Sequence, residues 1–396
     1  MVTHGITAGA YDGVSLVMNT VASADDPRPA VDAILPADTV RAAARMLRSW
    51  PDYACTPSPR LDALARSRGI AMLAIKDESH RFGRGGVKAL GAPYGLLTSL
   101  VDRLAPHANR DAASWHAAAD RILMGRDRTA CAPYTAIAAT DGNHGLALAW
   151  AAAQFGCSAL IYVGRGARAT RLERITAAGA RLIVVDGTYD DAVDAAEQAA
   201  GDDPANLLIT DTDYEGHLAV TRRIMAGYAL LGLELVYAAW TPEPTHLFLP
   251  TGVGGMAAGV VAGILMASPR ALPTIVTVEP HAAGCVAESL AARRPISVGG
   301  DLESMMDGLS CGRPSRPAFD ILALTATAAL TIPDTAARAA QARLADPIAG
   351  DQAVDAGDTG VAAPAGLLAA LADPACRRTL GLGPDSHVIA VNSEGG

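Results

Sequence analysis

What most constrains this chain is an alternation of two periods. Short runs rich in β-branched and aliphatic residues occur at 72–75, 135–139, 159–163, 181–185, 207–210, 246–249, 274–278 and 387–391, most of them followed by an amphipathic stretch. Strand, helix and strand in succession is the mark of parallel βαβ units, because parallel neighbours need a crossover long enough to hold a helix. One unit is complete: Leu160-Ile161-Tyr162-Val163 passes through a turn at 164–168 into a helical segment at 170–178, stops at Gly179 and re-enters a strand at 182–185. The chain is therefore predicted to be α/β, each lobe a mostly parallel, twisted sheet flanked by helices. Its 396 residues exceed one ordinary core, since domains commonly hold ~100 to 200 residues. Two lobes are expected, with a ligand cleft between them. No long linker interrupts the pattern, so the lobes are expected to be interleaved in sequence.

Composition narrows the function. Phe, Trp and Tyr make up only 4% of the chain while half of it is hydrophobic, which suits small-residue helices packed closely on a sheet. A net charge of -9 with scattered arginines leaves no basic footprint for nucleic acid. Apolar runs are broken before ~18 residues and no basic segment leads into an apolar one at the N-terminus, so no membrane partner is expected and the chain reads as cytoplasmic. The six cysteines form no CxxC or Cys/His cluster, so no metal is expected and free thiols are the default. Residues 1–35 read as an N-terminal arm, and 106–128 as a surface insertion without a strand.

The chemistry concentrates in glycine-rich turns. The run from Lys76 to Lys88 (KDESHRFGRGGVK) leaves a strand, crosses three glycines and enters a helix near Lys88. The positive end of a helix dipole disfavours an ammonium there and favours the neutral amine that Schiff-base chemistry needs. Taken alone, the segment is equally the mark of an ordinary lysine after a flexible loop. Thr140-Asp141-Gly142-Asn143-His144-Gly145 lies between a strand and a helix at 146–154, where free amides can hold a carboxylate; capping of the helix by Asp141 or Asn143 is the other reading, and the two do not exclude each other. Gly252, Val253, Gly254, Gly255 and Met256 follow the strand at 246–249 and open an apolar helix at 257–266, presenting amides without side chains in the way, so a phosphate fits. A dinucleotide is the competing occupant of such a turn, with Glu279 as its acidic partner. Ser393, after the strand at 387–391, supplies a hydroxyl suited to a pyridine nitrogen, or else lies in a frayed terminus.

In this order the segments resemble the fold type II (tryptophan synthase β-like) enzymes that use pyridoxal 5'-phosphate (PLP). Within them the chain most resembles the diaminopropionate ammonia-lyase family, through KDESHRFGRGGVKALG, ATDGNHG, DTDYEG, GVGGM and SEG. The resemblance implies a large cofactor-binding domain of residues 36–88 and 216–396, a small mobile domain of 89–215, and a homodimer. It implies that Lys88 holds the cofactor as a Schiff base, that Asn143 contacts the ring hydroxyl, that residues 252–256 bind the phosphate and that Ser393 faces the ring nitrogen. Thr140, Asp141, Gly142 and His144 would then bind substrate, with Lys88 and Asp141 as bases on opposite faces. Asp211, in DTDYEG, would hold a β-ammonium or assist proton transfer, or cap a helix at 215–228. The implied reaction is α,β-elimination of ammonia from 2,3-diaminopropionate, in its D and L forms, to give pyruvate. Serine or threonine dehydration, β-replacement, and a non-catalytic ligand-binding relative are the alternatives. Cysteines at 285 and 311 also match the family, where a disulfide is implied, although a reducing compartment favours free thiols. Gly85 and Val87 depart from the family's Asn and Phe, and Asp213 and His217 from a small and an aromatic residue.

Overall fold

A computed structural model describes residues 11–20, 26–108, 111–140, 142–165, 169–187, 189–212, 218–238 and 240–396. Ten strands form among them: β1 (Ser15–Met18), β2 (Met72–Asp77), β3 (Thr135–Ala139), β4 (Ser158–Gly164), β5 (Arg181–Val185), β6 (Asn206–Leu208), β7 (His246–Pro250), β8 (Thr274–Pro280), β9 (Ala328–Ile332) and β10 (His387–Asn392). The chain divides into two compact units, one of residues 1–37, 54–87 and 231–396 and the other of 38–53 and 88–230.

The first unit holds a six-stranded sheet in the order β1-β9-β8-β7-β10-β2. All neighbours are parallel except β1, which runs antiparallel to β9. β7 is buried at every residue and β10 at all but its first, as expected for strands covered on both faces. The covering helices, Gly255–Ala267 and Ala362–Ala372, are apolar all round and buried over nearly their whole length, the mark of a helix inside the core. Alanine and glycine let them approach closely: a Cβ on Gly366 would lie 2.6 Å from a Val278 methyl.

The second unit holds a parallel sheet in the order β5-β4-β3-β6. The helices Lys88–Leu104 and Asn143–Phe155 pack on each other within it. In both sheets the order reverses. The chain steps β3, β4, β5 and then places β6 on the other side of β3; it steps β7, β8, β9 and then places β10 on the other side of β7. In an open parallel sheet the loops at the carboxyl ends of strands flanking such a reversal diverge and leave room for a ligand. Those loops are 140–145 and 209–212 in one unit, and 251–255 and 393–396 in the other.

Several segments fall elsewhere than expected. Residues 15–18 of the anticipated arm form β1, and the helix Arg28–Ile34 also belongs to the first unit, where Arg28 donates to the carbonyls of Leu265, Ser268 and Arg270 at the end of the helix Gly255–Ala267. The helix Ala37–Arg48 falls almost wholly in the second unit, and the boundary at 230/231 lies inside the helix Leu218–Tyr237. The segment 106–128, expected as a surface insertion, has no strand among its described residues and carries the helix Ala112–Leu123, capped by Asp111 and buried only at Ala119 and Ile122.

Between β2 and Lys88 the first unit buries a charge network. Arg81 donates to Glu78 at 2.7 Å and to Glu234 at 2.8 Å, Lys76 donates to Glu234 at 2.6 Å, and the Thr56 hydroxyl donates to Glu78. All four charged side chains are at most 2% exposed. Burial alone would raise the Glu234 pKa, but hydrogen bonds and charge from Arg81, then Lys76, hold it down at about 2. Removing one partner strands the other charges without water, so Arg81→Leu is expected to cost about 3–5 kcal/mol in chemical denaturation. The part carried by Glu234 is fully present above the ordinary carboxylate value of 4.5 and is lost as pH falls toward 2.

Candidate active site

Lys88 is the first residue of the helix Lys88–Leu104. Its approach is tightly determined. Gly83 and Gly85 take positive φ angles of 64° and 81°, which glycine adopts without strain. The family's Asn at position 85 is the next most tolerant type for that conformation, so Gly85 preserves the turn while removing an amide. The Val87 amide then donates to the Ser393 carbonyl at 2.9 Å. A Cβ on Gly86 would lie 2.7 Å from that same oxygen, so the segment lies flat against the end of β10. Val87 is 3% exposed and packed into its unit.

The Lys88 ammonium lies 2.6 Å from Asp211 Oδ2. The neutral amine expected from the helix dipole alone is thus opposed by a carboxylate, which favours the charged form. Asp211 follows β6, and its loop is tied down by Thr210, Thr212 and Thr221: the two first hydroxyls lie 3.0 Å apart and Thr221 donates to the Thr212 carbonyl at 3.2 Å. Burial would raise the Asp211 pKa, but the charge of Lys88, and after it that of His144, holds the carboxyl well below the usual carboxylate range.

His144 is 5% exposed. Its Nε2 lies 2.8 Å from the Ile209 carbonyl and its Nδ1 3.8 Å from Asp211 Oδ2. Burial is the largest influence on it and lowers its pKa, with Asp211 opposing and Lys88 reinforcing. Thr140, 9% exposed, accepts at Oγ1 from the Gly142 amide, and Gly142 caps the helix Asn143–Phe155. The amides of that first turn lack carbonyls one turn back and are available to an anion. The Arg171 guanidinium approaches the same turn, 3.1 Å from where a Gly142 Cβ would be. Asp141, Asp213 and His217 lie outside the described residues.

Tyr228 was not legible as a site residue. Lys88 Nζ sits 5.8 Å from its ring centroid, and the phenol is fully buried. Burial, partly offset by Lys88 and reinforced by Asp211, pushes its pKa up to about 12. The signal in the sequence is a pair of glycines: a Cβ on Gly91 would meet the Tyr228 ring at 2.5 Å, and one on Gly227 would strike the Leu90 carbonyl. The two helices therefore touch backbone to backbone directly below Lys88.

In the first unit, the loop after β7 leads into the helix Gly255–Ala267 through Gly254, whose φ is 96°. Gly252 is held between Leu309 Cα and Cys311 Sγ, each 3.2 Å from where its Cβ would be, and its carbonyl accepts from Cys285 at 3.6 Å. No disulfide joins Cys285 and Cys311. The loop is thus a backbone cradle at a helix N-terminus, a donor set that suits a phosphate. Ser393 follows the neighbouring strand β10 and is 7% exposed. Among the described residues no cluster of His, Cys, Asp and Glu could hold a metal ion, and no helix is long and apolar enough to cross a membrane.

The model of the pyridoxal-phosphate dependent enzymes matches residues 50–394. Diaminopropionate ammonia-lyase of Escherichia coli (strain K12) is 34% identical over 350 residues, 87% of this chain and 85% of its own length. A probable D-serine dehydratase of Burkholderia pseudomallei (strain 668) is 29% identical over 63% of this chain and 56% of its own. Among solved structures, the E. coli ammonia-lyase in complex with an aminoacrylate-PLP azomethine reaction intermediate superposes with a TM-score of 0.82 at 28% identity, covering 97% of this chain and 94% of that one. The same enzyme in complex with D-serine gives 0.84.

The close approach below Lys88 has a direct consequence. Gly227→Ala must push its helix off Leu90 and is expected to lower stability by about 1–3 kcal/mol, as overpacking does. A shift of the thermal midpoint by less than a degree would show that the backbones are not in contact.

Proposed function

Because the chain belongs to the fold type II pyridoxal-phosphate-dependent enzymes, within the diaminopropionate ammonia-lyase family, we propose that it eliminates ammonia from 2,3-diaminopropionate to give pyruvate. The observation that carries the reading is the ion pair of Lys88 and Asp211 at 2.6 Å. It puts a carboxylate suited to a substrate ammonium beside the lysine that matches the family's cofactor lysine.

The residues fit the cofactor. The amides of Gly252, Val253, Gly254, Gly255 and Met256 would take its phosphate, Ser393 its ring nitrogen, Asn143 its ring hydroxyl, and Lys88 its aldehyde carbon. When bound, the cofactor supplies an electron sink for the charge left at Cα. The chain's own residues do the rest. Thr140, Gly142 and the first-turn amides at Asn143 and His144 bind the substrate carboxylate. Lys88 takes the Cα proton from one face, and Asp141, on the opposite face in this reading, takes it from the other enantiomer. Asp211 holds the β-ammonium until it leaves as ammonia. The aminoacrylate that remains is hydrolysed to pyruvate and ammonia.

Dehydration of D-serine is the second reading, supported by the 29% identity to the probable D-serine dehydratase. The charge of Asp211 weighs against it, because a carboxylate recognises an ammonium more strongly than a neutral hydroxyl. The reading also makes the enzyme a cytoplasmic homodimer. The family's habit supports the dimer, and light scattering on the purified protein tests the assembly.

Pyruvate release from D- and L-diaminopropionate and from serine decides between the substrates; turnover of serine with both diaminopropionates inert would overturn the proposal. Lys88→Ala is expected to abolish turnover, and Asp141→Asn to impair mainly one enantiomer. Loss of a charged hydrogen bond in Asp211→Asn is expected to lower kcat/KM for diaminopropionate by about 10- to 100-fold.

A further inference from the structure

The ring of His144 is used on one side only. Its Nε2 lies 2.8 Å from the Ile209 carbonyl, and a carbonyl can only accept, so this nitrogen carries the proton. Its Nδ1 is buried and has no hydrogen-bond partner among the described residues. It lies 3.8 Å from Asp211 Oδ2, the oxygen on which the Lys88 ammonium rests. A buried ring nitrogen without a partner is costly unless a ligand supplies one. Among the described residues Lys88 and Asp211 are the charged groups facing the ring; burial, reinforced by Lys88 and opposed by Asp211, disfavours a second proton on it.

We propose that His144 Nδ1 and Asp211 Oδ2 together form the subsite for the β-ammonium of the substrate, and that His144 sets the preference for an amino over a hydroxyl group at the β-carbon. The inference rests on the function proposed above and adds the residue that selects. An ammonium has three donors and no acceptor, so it serves both atoms at once. A hydroxyl has a single proton. It serves one atom and leaves the other buried and unmatched, which is how a polar site rejects a ligand that lacks a donor. In the structure the Lys88 ammonium rests on that carboxylate oxygen; a Lys88 turned toward the cofactor and the Cα proton would leave this position to the substrate's ammonium. The substrate carboxylate is held separately, by the amides of the same helix's first turn, so one short segment reads both ends of the substrate.

Two measurements on the holoenzyme test this. In the first, kcat/KM for diaminopropionate is compared with that for serine, or with the inhibition constant of serine where turnover is too slow. His144→Leu is expected to lower the ratio in favour of diaminopropionate at least about tenfold, because the lost acceptor matters only to the ammonium. His144→Asn, whose amide oxygen can stand near the position of Nδ1, is expected to recover part of it. If His144→Leu slows both substrates equally and the ratio is unchanged, the residue only supports the fold and the inference fails. In the second, nitrogen-15 spectra of histidine-labelled wild-type enzyme, assigned by the signal missing in His144→Asn, are expected to show Nε2 protonated and Nδ1 bare at neutral pH. A proton on Nδ1 would overturn the inference whatever the activity of the variants. Wild-type enzyme that releases no pyruvate from diaminopropionate would instead defeat the functional reading, and the two failures are told apart by that control.

Discussion

A single guanidinium sets the geometry from which the site is built. Arg81 is fully enclosed, yet it is matched by Glu78 and Glu234, with Lys76 balancing the second carboxylate. Such networks seldom add net stability over a well-packed apolar core, but breaking one is severe, so they specify a path more than they strengthen it. Here the path is the short stretch from the end of β2 to Lys88. That stretch has little apolar surface of its own and three glycines that would otherwise leave it loose. Fixing Arg81 at one end and the Val87-to-Ser393 hydrogen bond at the other leaves its lysine a single exit direction.

Each unit then applies the same sheet logic. The strand order reverses at β3 and again at β7, and at each reversal a glycine turn opens a helix whose first amides lack partners. One turn suits a carboxylate and the other a phosphate, both anions, because a helix N-terminus offers the same positive end in either case. Specificity comes from what is added to those ends. Asp211 and His144 add acceptors in the second unit. In the first, Leu309 and Cys311 crowd the Gly252 loop and fix its course.

Several inner strands were legible because burial on both faces demands uninterrupted β-branched and aliphatic runs, as in Leu249, Val276 and Ile389. β9 hid because Ala328 and Ala329 carry no strand preference and are placed by packing alone. β1 hid because an antiparallel edge of four residues is defined by its partner and not by its own pattern. Lys88, Asn143 and Ser393 were singled out by the glycines around them. Tyr228 was not, since it lies in an apolar helix with nothing local to separate it from core aromatics; only contact with Gly91 places it under the lysine. The pairing of Asp211 with Lys88 was open in the sequence because a carboxylate before a helix is most often a cap, and only the fold brings the loop after β6 to the lysine.

The position of β10 bears on how the polypeptide is made. This strand is the latest of the ten in the chain, yet it lies between β7 and β2, in the interior of its sheet. On the ribosome, β2 emerges early and has no lateral neighbour to pair with until residues beyond 387 leave the exit tunnel. The unit spanning 88–230, with its four consecutive strands, can close long before. Synthesis therefore produces a stage at which one half is finished while the other exposes open strand edges, the condition under which nascent chains call on chaperones.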